Sequence, residues 1–324
     1  MSEIENSFRL LFENKLSQSE AREFLIELYN RSESADDITA GAKVMREFST
    51  KLKVDDSIAD KLIDNCGTGG DKSGSFNIST TVSILLASMG CFVAKHGNRS
   101  ITSKSGSADV LEALGVNLDL DIERESKLLN ESGFTFMFAI NHHPAMKYVM
   151  PIRKSIEHRT IFNLLGPLTN PAGAKKQLIG VFSKEFVPKV AKSLHNLDSK
   201  SAIIVSSNDG LDEASISDIT HCSQLKEGKV SDFELNPVNY GLKLASLEAI
   251  KGADAKANAQ IMLDLLNGES GAKRDIVLLN ASLAFVVDGV ARDIKDGLEM
   301  AREAIDSKKA IEKLKEIIEV SNKI

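Results

Sequence analysis

The chain has 324 residues, a formal net charge of −6, and 42% hydrophobic and 27% charged residues, which allows about two domains or one large α/β domain with an appendage. The acidic balance argues against a general nucleic-acid or anionic-membrane binder and leaves room only for a local basic pocket. Cys66, Cys91 and Cys222 form no CxxC pair, the opening MSEIENSFRL has no apolar core region, and no apolar run reaches the ~20 residues of a membrane span, so a reducing, cytoplasmic setting is expected.

Residues 1 to 60 carry helical signals only. Ser17 and Glu20 make a capping box ahead of Ala21, Phe24, Leu25 and Leu28, which recur at helical spacing. A second amphipathic run holds Ile38, Ala42, Val44, Met45 and Phe48. These predict a small helical unit whose apolar faces serve as core or as a dimer interface. From residue 61 strands and helices alternate. Leu62-Ile63 reads as a short strand, 78–89 as a helix ended by Gly90, and 91–94 as the next strand. A helix over 108–114 has Ser107 as its cap and Gly115 as its stop. An aromatic strand follows at Phe134–Phe138, then strands at 177–181 and 202–205 with a helix over 187–197 between them. Residues 219–245 read as short strands and turns, and the chain from 246 onward as helical. Such alternation predicts a mainly parallel, covered sheet.

The most informative segment is Asp64-Asn65-Cys66-Gly67-Thr68-Gly69-Gly70-Asp71, followed by Asn77-Ile78-Ser79-Thr80 at the start of an apolar helix. Glycines let the backbone turn at positive φ and approach a ligand closely, and a helix N-terminus favours an anion. The pattern is neither the dinucleotide fingerprint, because Lys72 stands where the third glycine belongs, nor the nucleotide P-loop, because Asp71 precedes Lys72-Ser73. A phosphate-holding turn for a phosphorylated small molecule remains. Cys66 reads as a small apolar residue beside that turn.

A second cluster, Lys95-His96-Gly97-Asn98-Arg99-Ser100, stands past the strand at 91–94 and leads into Ser103, Ser105, Gly106, Ser107 and Asp109. Ligands of α/β sheets lie outside the carboxyl ends of strands, so the two clusters are expected to face one crevice. Lys95 and Arg99 would supply positive charge and Gly97 close backbone approach. Asp209-Gly210-Leu211-Asp212-Glu213 follows the strand at 202–205 and suits a hard cation such as Mg²⁺, which binds few carboxylates plus substrate phosphates. Arg153 to Leu168 places Arg159 before an apolar helical turn, where its fork can hold the carboxylate of a flat substrate. His142-His143-Pro144 lacks metal-ligand spacing and reads as loop residues lining the site.

In their order along the chain, the segments 64–71, 76–80, 94–100, 106–115, 143–146, 159–172 and 210–215 resemble the anthranilate phosphoribosyltransferase family of tryptophan biosynthesis. The resemblance implies a small all-helical domain (1–64 with roughly 143–171). It also implies a larger α/β domain (65–142 and 172–324) with a mainly parallel central sheet, nucleoside phosphorylase/phosphoribosyltransferase-like. It implies transfer of phosphoribose from 5-phosphoribosyl 1-diphosphate to the anthranilate amine, Mg²⁺ as cofactor, and a homodimer through the helical domain, with no nucleic acid or membrane partner. Gly67, Gly69, Gly70 and Asp71 would hold diphosphate and ribose, with Ser75, Asn77, Ser79, Thr80, Lys95, Gly97 and Ser107 completing that site. Ser79, Asp212 and Glu213 would contact Mg²⁺. Arg159 would take the anthranilate carboxylate, Asn98 would face the ring, and His96 would stand near the attacking nitrogen.

Two stretches on the acceptor side depart from the family pattern, and the helical N-terminus also diverges around Tyr29 to Asp37. Ile140-Asn141 follows Ala139 where a proline is expected, and Ser155-Ile156-Glu157-His158 replaces a Leu-Gly step before Arg159. Both bear on the acceptor side of the site. A nucleoside phosphorylase on the same fold would not need Asp212 and Glu213. A nucleic-acid-binding relative would show a basic groove and no metal pair, whereas this chain is acidic and keeps both carboxylates.

Overall fold

The computed structural model describes residues 2–71, 73–99 and 105–324; Lys72, Ser100 and Ser103 lie outside the described residues. The chain opens with helices α1 (Glu3–Phe12), α2 (Gln18–Asn30) and α3 (Ala35–Glu47), then one turn, α4 (Asp56–Ala59). Ser2, Ser17 and Ser34 each start a helix with a reciprocal capping box to Glu5, Glu20 and Asp37. Then come β1 (Leu62–Gly67), α5 (Ile78–Ser88), β2 (Phe92–Gly97), α6 (Ser107–Ala113), α7 (Ile122–Ser132) and β3 (Phe134–Phe138). The helices α8 (Ala139–His142), α9 (Met146–Lys154) and α10 (Phe162–Leu165) lead to β4 (Lys176–Gly180), α11 (Val187–Asn196) and β5 (Ser201–Ser207). A hairpin, β6 (Thr220–Lys226) and β7 (Lys229–Leu235), precedes α12 (Ala255–Leu266), α13 (Ala272–Asp288), α14 (Ile294–Asp306) and α15 (Lys309–Lys323).

The strands form one sheet in the order β3-β2-β1-β4-β5-β6-β7, with β1 to β5 parallel and the β6–β7 hairpin antiparallel at one edge. Side chains alternate across it, as the pleat requires. Leu178, Ile203 and Val205 face a core built with α5, α13, α14 and α15, while Ile179, Ala202 and Ile204 face α11 and the N-terminal helices. α9 and α10 pack into that second core with α1, α2 and α3. α5 is buried nearly all round, which explains why its sequence is apolar on every face.

The strand order reverses at the β1–β4 pair, and parallel register brings Gly67 beside Gly180 and Gly97 beside Phe138. The carboxyl ends of β1, β2 and β4 therefore open on one crevice at the switch point of the sheet, where α/β folds bind ligands.

Several boundaries differ from the sequence reading. β1 runs on to Gly67 and β2 to Gly97, so Lys95 and His96 are strand residues rather than loop residues. The ladder continues through polar side chains that find buried partners, a tertiary effect no apolar pattern reports. Ser107 is the first residue of α6, whose cap is Gly106; the Asp109 carboxylate accepts the Gly106 N–H at 2.8 Å. α7 carried no sequence assignment, although Glu125, Leu128 and Leu129 form its buried face.

Candidate active site

The turn after β1 is built from Gly69 and Gly70, both at positive φ (64° and 84°) with open space around them. Only glycine takes that conformation without strain. The Gly69 N–H donates to Asp212 Oδ2 at 2.8 Å, so the phosphate turn and the acidic loop are one structure. Gly67 and Gly180 have a different reason to lack a side chain. A Cβ on Gly67 would stand 2.5 Å from Asp212 Oδ2, and one on Gly180 would stand 1.5 Å from the Asp212 carbonyl oxygen. The acidic loop lies directly across the ends of β1 and β4.

That loop is held from behind. Asp209 accepts the Leu211 N–H at 3.1 Å and the Ser215 hydroxyl at 2.6 Å. The Asn280 amide from α13 clamps Ala214 on both sides, accepting its N–H at 2.9 Å and donating to its carbonyl at 2.8 Å. Burial and the neighbouring Asp71 charge push the Asp212 carboxyl up, against the Gly69 N–H. Burial and Asp212 push Glu213 up to about 8, with Lys95 and the Ser79 N–H pulling the other way. Asp71 Oδ2 is buried without a hydrogen-bond partner.

These observations fit a divalent cation. Crowded carboxyls held out of their charged range, and an orphaned carboxylate oxygen beside them, are what a positive ion would relieve. Among the described residues no three such side chains close an all-protein cage. Mg²⁺ binds through few carboxylates and completes its shell with water and substrate phosphates.

Lys95 projects from β2 into the same space, almost wholly buried (1% exposed). It donates to the Asn65 carbonyl at 2.6 Å and lies 3.4 Å from the Ser79 hydroxyl. Burial lowers its pKa, opposed by Asp64 and Glu213. Asp64, fully buried, accepts the His96 N–H at 3.2 Å and the Asn170 amide at 2.8 Å. This network ties β1, β2 and the segment after α10 into a rigid floor. Burial and Asp64 also push the Cys66 thiol up.

His96 stands over the floor with both ring nitrogens engaged. Nδ1 lies 3.2 Å from the Gly166 carbonyl, which makes it the N–H; Nε2 lies 3.2 Å from His143 Nε2. Burial, then His143, lowers His96 to about 3, and burial lowers His143 to about 4. Burial and these two contacts favour the neutral ring and hold it in one orientation.

The remaining expected residues distribute unevenly. Thr80 is buried in the first turn of α5. Ser75 donates its N–H to Ser73 Oγ at 3.2 Å, beside the turn. Asn77 caps no N–H with its side chain; its amide bridges Ser105 (3.2 and 3.3 Å) and Asn258 of α12 (2.9 Å). The Ser107 hydroxyl donates to the Asn98 carbonyl at 3.2 Å, and Gly97 leaves room for that hydroxyl and the Phe136 ring. The Asn98 side chain is exposed and accepts the Arg99 N–H. The Arg99 fork closes on Glu112 (2.6 and 2.6 Å) and reaches Asp109 (3.1 Å), both on α6.

Arg159 holds Glu33 with both terminal nitrogens, each at 2.9 Å. Its guanidinium also lies over Phe182, whose ring centroid is 4.9 Å away and whose N–H donates to Thr68 Oγ1 of the glycine turn at 3.1 Å. His142 pairs with the buried Glu125 at 2.8 Å and is structural, whereas His143 joins the site. Sequence reasoning missed Asn170, Asn258, Asn280, Glu33 and Glu125, all single polar residues whose roles depend on distant partners.

The model of the "Glycosyl transferase family, a/b domain" matches residues 59–311. The chain is 42% identical to an anthranilate phosphoribosyltransferase of Petrotoga mobilis over 322 residues, 99% of this chain and 93% of the relative. It superposes on the anthranilate phosphoribosyltransferase of Thermus thermophilus with a TM-score of 0.91 at 38% identity, covering 98% of this chain and 94% of that one. The Saccharomyces cerevisiae anthranilate phosphoribosyltransferase in complex with PRPP and Mg gives a TM-score of 0.89 at 26% identity, over 99% and 93% of the two chains. The match runs through the helical segment, the glycine turn and the acidic loop alike, and the chain belongs to the anthranilate phosphoribosyltransferase family.

Proposed function

We propose that the protein transfers phosphoribose from 5-phosphoribosyl 1-diphosphate to the amine of anthranilate, releasing diphosphate and N-(5-phosphoribosyl)anthranilate for tryptophan biosynthesis. The observation that carries this reading is the junction of Gly69, Asp71 and Asp212 at the switch point, with Glu213 and Lys95 behind it. It joins a phosphate-binding turn to a cation-binding loop, and a diphosphate leaving group needs both.

Each residue has a physical task. The N–H groups of Gly70 and Asp71 at the tip of the turn, and that of Thr80 in the first turn of α5, would orient diphosphate oxygens. Lys95 holds positive charge beneath them. Asp212 and Glu213, with the Ser79 hydroxyl, would hold Mg²⁺. When bound, that ion neutralises charge on the departing diphosphate. Arg159 would orient the acceptor carboxylate, and His96 with His143 would wall the acceptor pocket. Placing a weakly nucleophilic aromatic amine above C1′ accounts for much of the rate without a strong base. The amine proton leaves after the bond forms.

The same reading includes the division into a helical domain (1–64 with 143–171) and an α/β domain, supported by the packing of α9 and α10 with α1, α2 and α3. It also includes a homodimer through the helical domain and a cytoplasmic site of action, both resting on family membership. Purified protein given all three components should yield a product of the mass of N-(5-phosphoribosyl)anthranilate, and its gene should restore growth of a tryptophan auxotroph lacking this step. If folded protein gives neither result, the proposal is overturned.

A further inference from the structure

Arg159 is fixed by a residue from the opposite end of the helical segment. Glu33, just before the Ser34 cap of α3, is fully buried (0% exposed). Its two oxygens accept from the two terminal nitrogens of Arg159, so the pair meets end to end. The guanidinium also lies over Tyr29 (5.1 Å) and Phe186 (4.6 Å), besides Phe182. Tyr29 in turn stacks on His158 at 3.7 Å, one of the residues that depart from the family pattern. An end-on carboxylate engages only part of the guanidinium's five-donor fork. Among the described residues the Nε–H has no protein acceptor, and the side chain keeps 23% of its surface open.

We propose that Glu33 is a positioning residue for acceptor recognition: it holds Arg159 by its end, so that the Nε edge is presented in one orientation to the carboxylate of the aromatic acceptor. This rests on the proposed transfer to anthranilate. An arginine on a flexible stem loses much rotamer freedom when it grips a ligand, and an arginine already gripped from behind loses little. Glu33 also compensates the caged charge, so Arg159 stays among the rings instead of swinging to water. Glu33 does not touch the acceptor. Its effect falls on affinity for a carboxylate-bearing acceptor and leaves the diphosphate side alone.

The test compares Glu33→Gln with the wild type, using anthranilate and methyl anthranilate, which keeps ring and amine but carries no carboxylate charge. The wild type is expected to prefer anthranilate. In Glu33→Gln the KM for anthranilate should rise about tenfold, while the KM for 5-phosphoribosyl diphosphate and the rate with the methyl ester stay within about twofold. The preference ratio then falls about tenfold, which general loosening of the fold would not produce because both acceptors would suffer alike. Should Glu33→Gln fold poorly, Glu33→Asp, which keeps the charge but withdraws the fork, should lower the same ratio. An unchanged ratio in the folded variant, or an anthranilate KM that falls, overturns the inference alone. A wild type that leaves anthranilate untouched overturns the transferase reading and this inference with it.

Discussion

Gly180 offers the sharpest test of how the acidic loop is placed. It is an ordinary strand residue with no positive φ, and its replacement by alanine is harmless by any reading of local backbone preference. Yet the added Cβ would stand 1.5 Å from the Asp212 carbonyl oxygen and 2.5 Å from the carbonyl carbon, where 3.4 Å begins ordinary contact. The loop must therefore retreat by roughly 1.9 Å, the gap between 1.5 and 3.4 Å. Retreat is resisted because Asn280 clamps Ala214 and Asp209 ties Leu211 and Ser215. Overpacking of this kind costs about 1–3 kcal/mol of stability. The larger effect is functional, since a displacement of about 1 Å in a positioned group already costs roughly 100-fold in rate. Gly180→Ala should keep a cooperative thermal transition and lose at least about 100-fold in kcat/KM for 5-phosphoribosyl diphosphate, measured across a Mg²⁺ titration. A folded variant within threefold of wild type would mean that Asp212 is not fixed where the structure has it.

Three further outcomes follow from named contacts. Glu213→Gln keeps shape and removes a charge; kcat should fall about 100-fold or more, as the loss of a few kcal/mol of cation-mediated stabilisation requires, and unchanged turnover across a Mg²⁺ titration would count against that ligand. Arg159→Ala removes a charge-assisted pair of about 1.5–3 kcal/mol, so the anthranilate KM should rise roughly ten- to a hundredfold while affinity for 5-phosphoribosyl diphosphate holds; equal loss of both would refute its assignment. His142 supplies a pH dependence. Burial works against its charge, but hydrogen bonds to Glu125 and to the Thr50 carbonyl outweigh that and raise its pKa. A raised histidine stabilises the fold fully below its unfolded value of about 6.5, and that contribution is lost as pH rises through the folded value. Urea midpoints should show this decline in the wild type and a flatter profile in Glu125→Gln. A steeper decline in the variant would contradict the pairing.

How much of this was legible in the sequence depended on the range over which each signal acts. Local signals read well. The capping box at Ser17 and Glu20, the run of α5 and the aromatic strand β3 all stand where spacing placed them, because caps and periodicity act within one or two turns. The glycine turn, the acidic loop and Lys95 were visible as motifs, and the parallel register brings them to one crevice. The strands failed at their carboxyl ends. Asp64, Asn65, Lys95 and His96 are polar, and partners distant in sequence, Ser79 and Ser83 of α5, His143, Gly166 and Asn170 among them, make them tolerable inside a sheet. The ion pair of Arg99 was not legible for the same reason, since its partner Glu112 sits on the following helix. The need for glycine at Gly67, whose missing side chain makes room for Asp212, was not legible because Asp212 lies far along the chain. Glu33 and Asn280 carry no local signal at all, because one buried hydrogen-bonding residue looks like any surface residue until its partner is known.

The central claim is that one crevice, between the glycine turn and the acidic loop, joins a diphosphate-bearing sugar to an aromatic amine. It is tested most directly by following anthranilate fluorescence and diphosphate release together, in purified protein supplied with 5-phosphoribosyl diphosphate and Mg²⁺. The account predicts equimolar loss and release that stop when EDTA is added. Diphosphate released without loss of anthranilate, or no change at any Mg²⁺ concentration in folded protein, would contradict it.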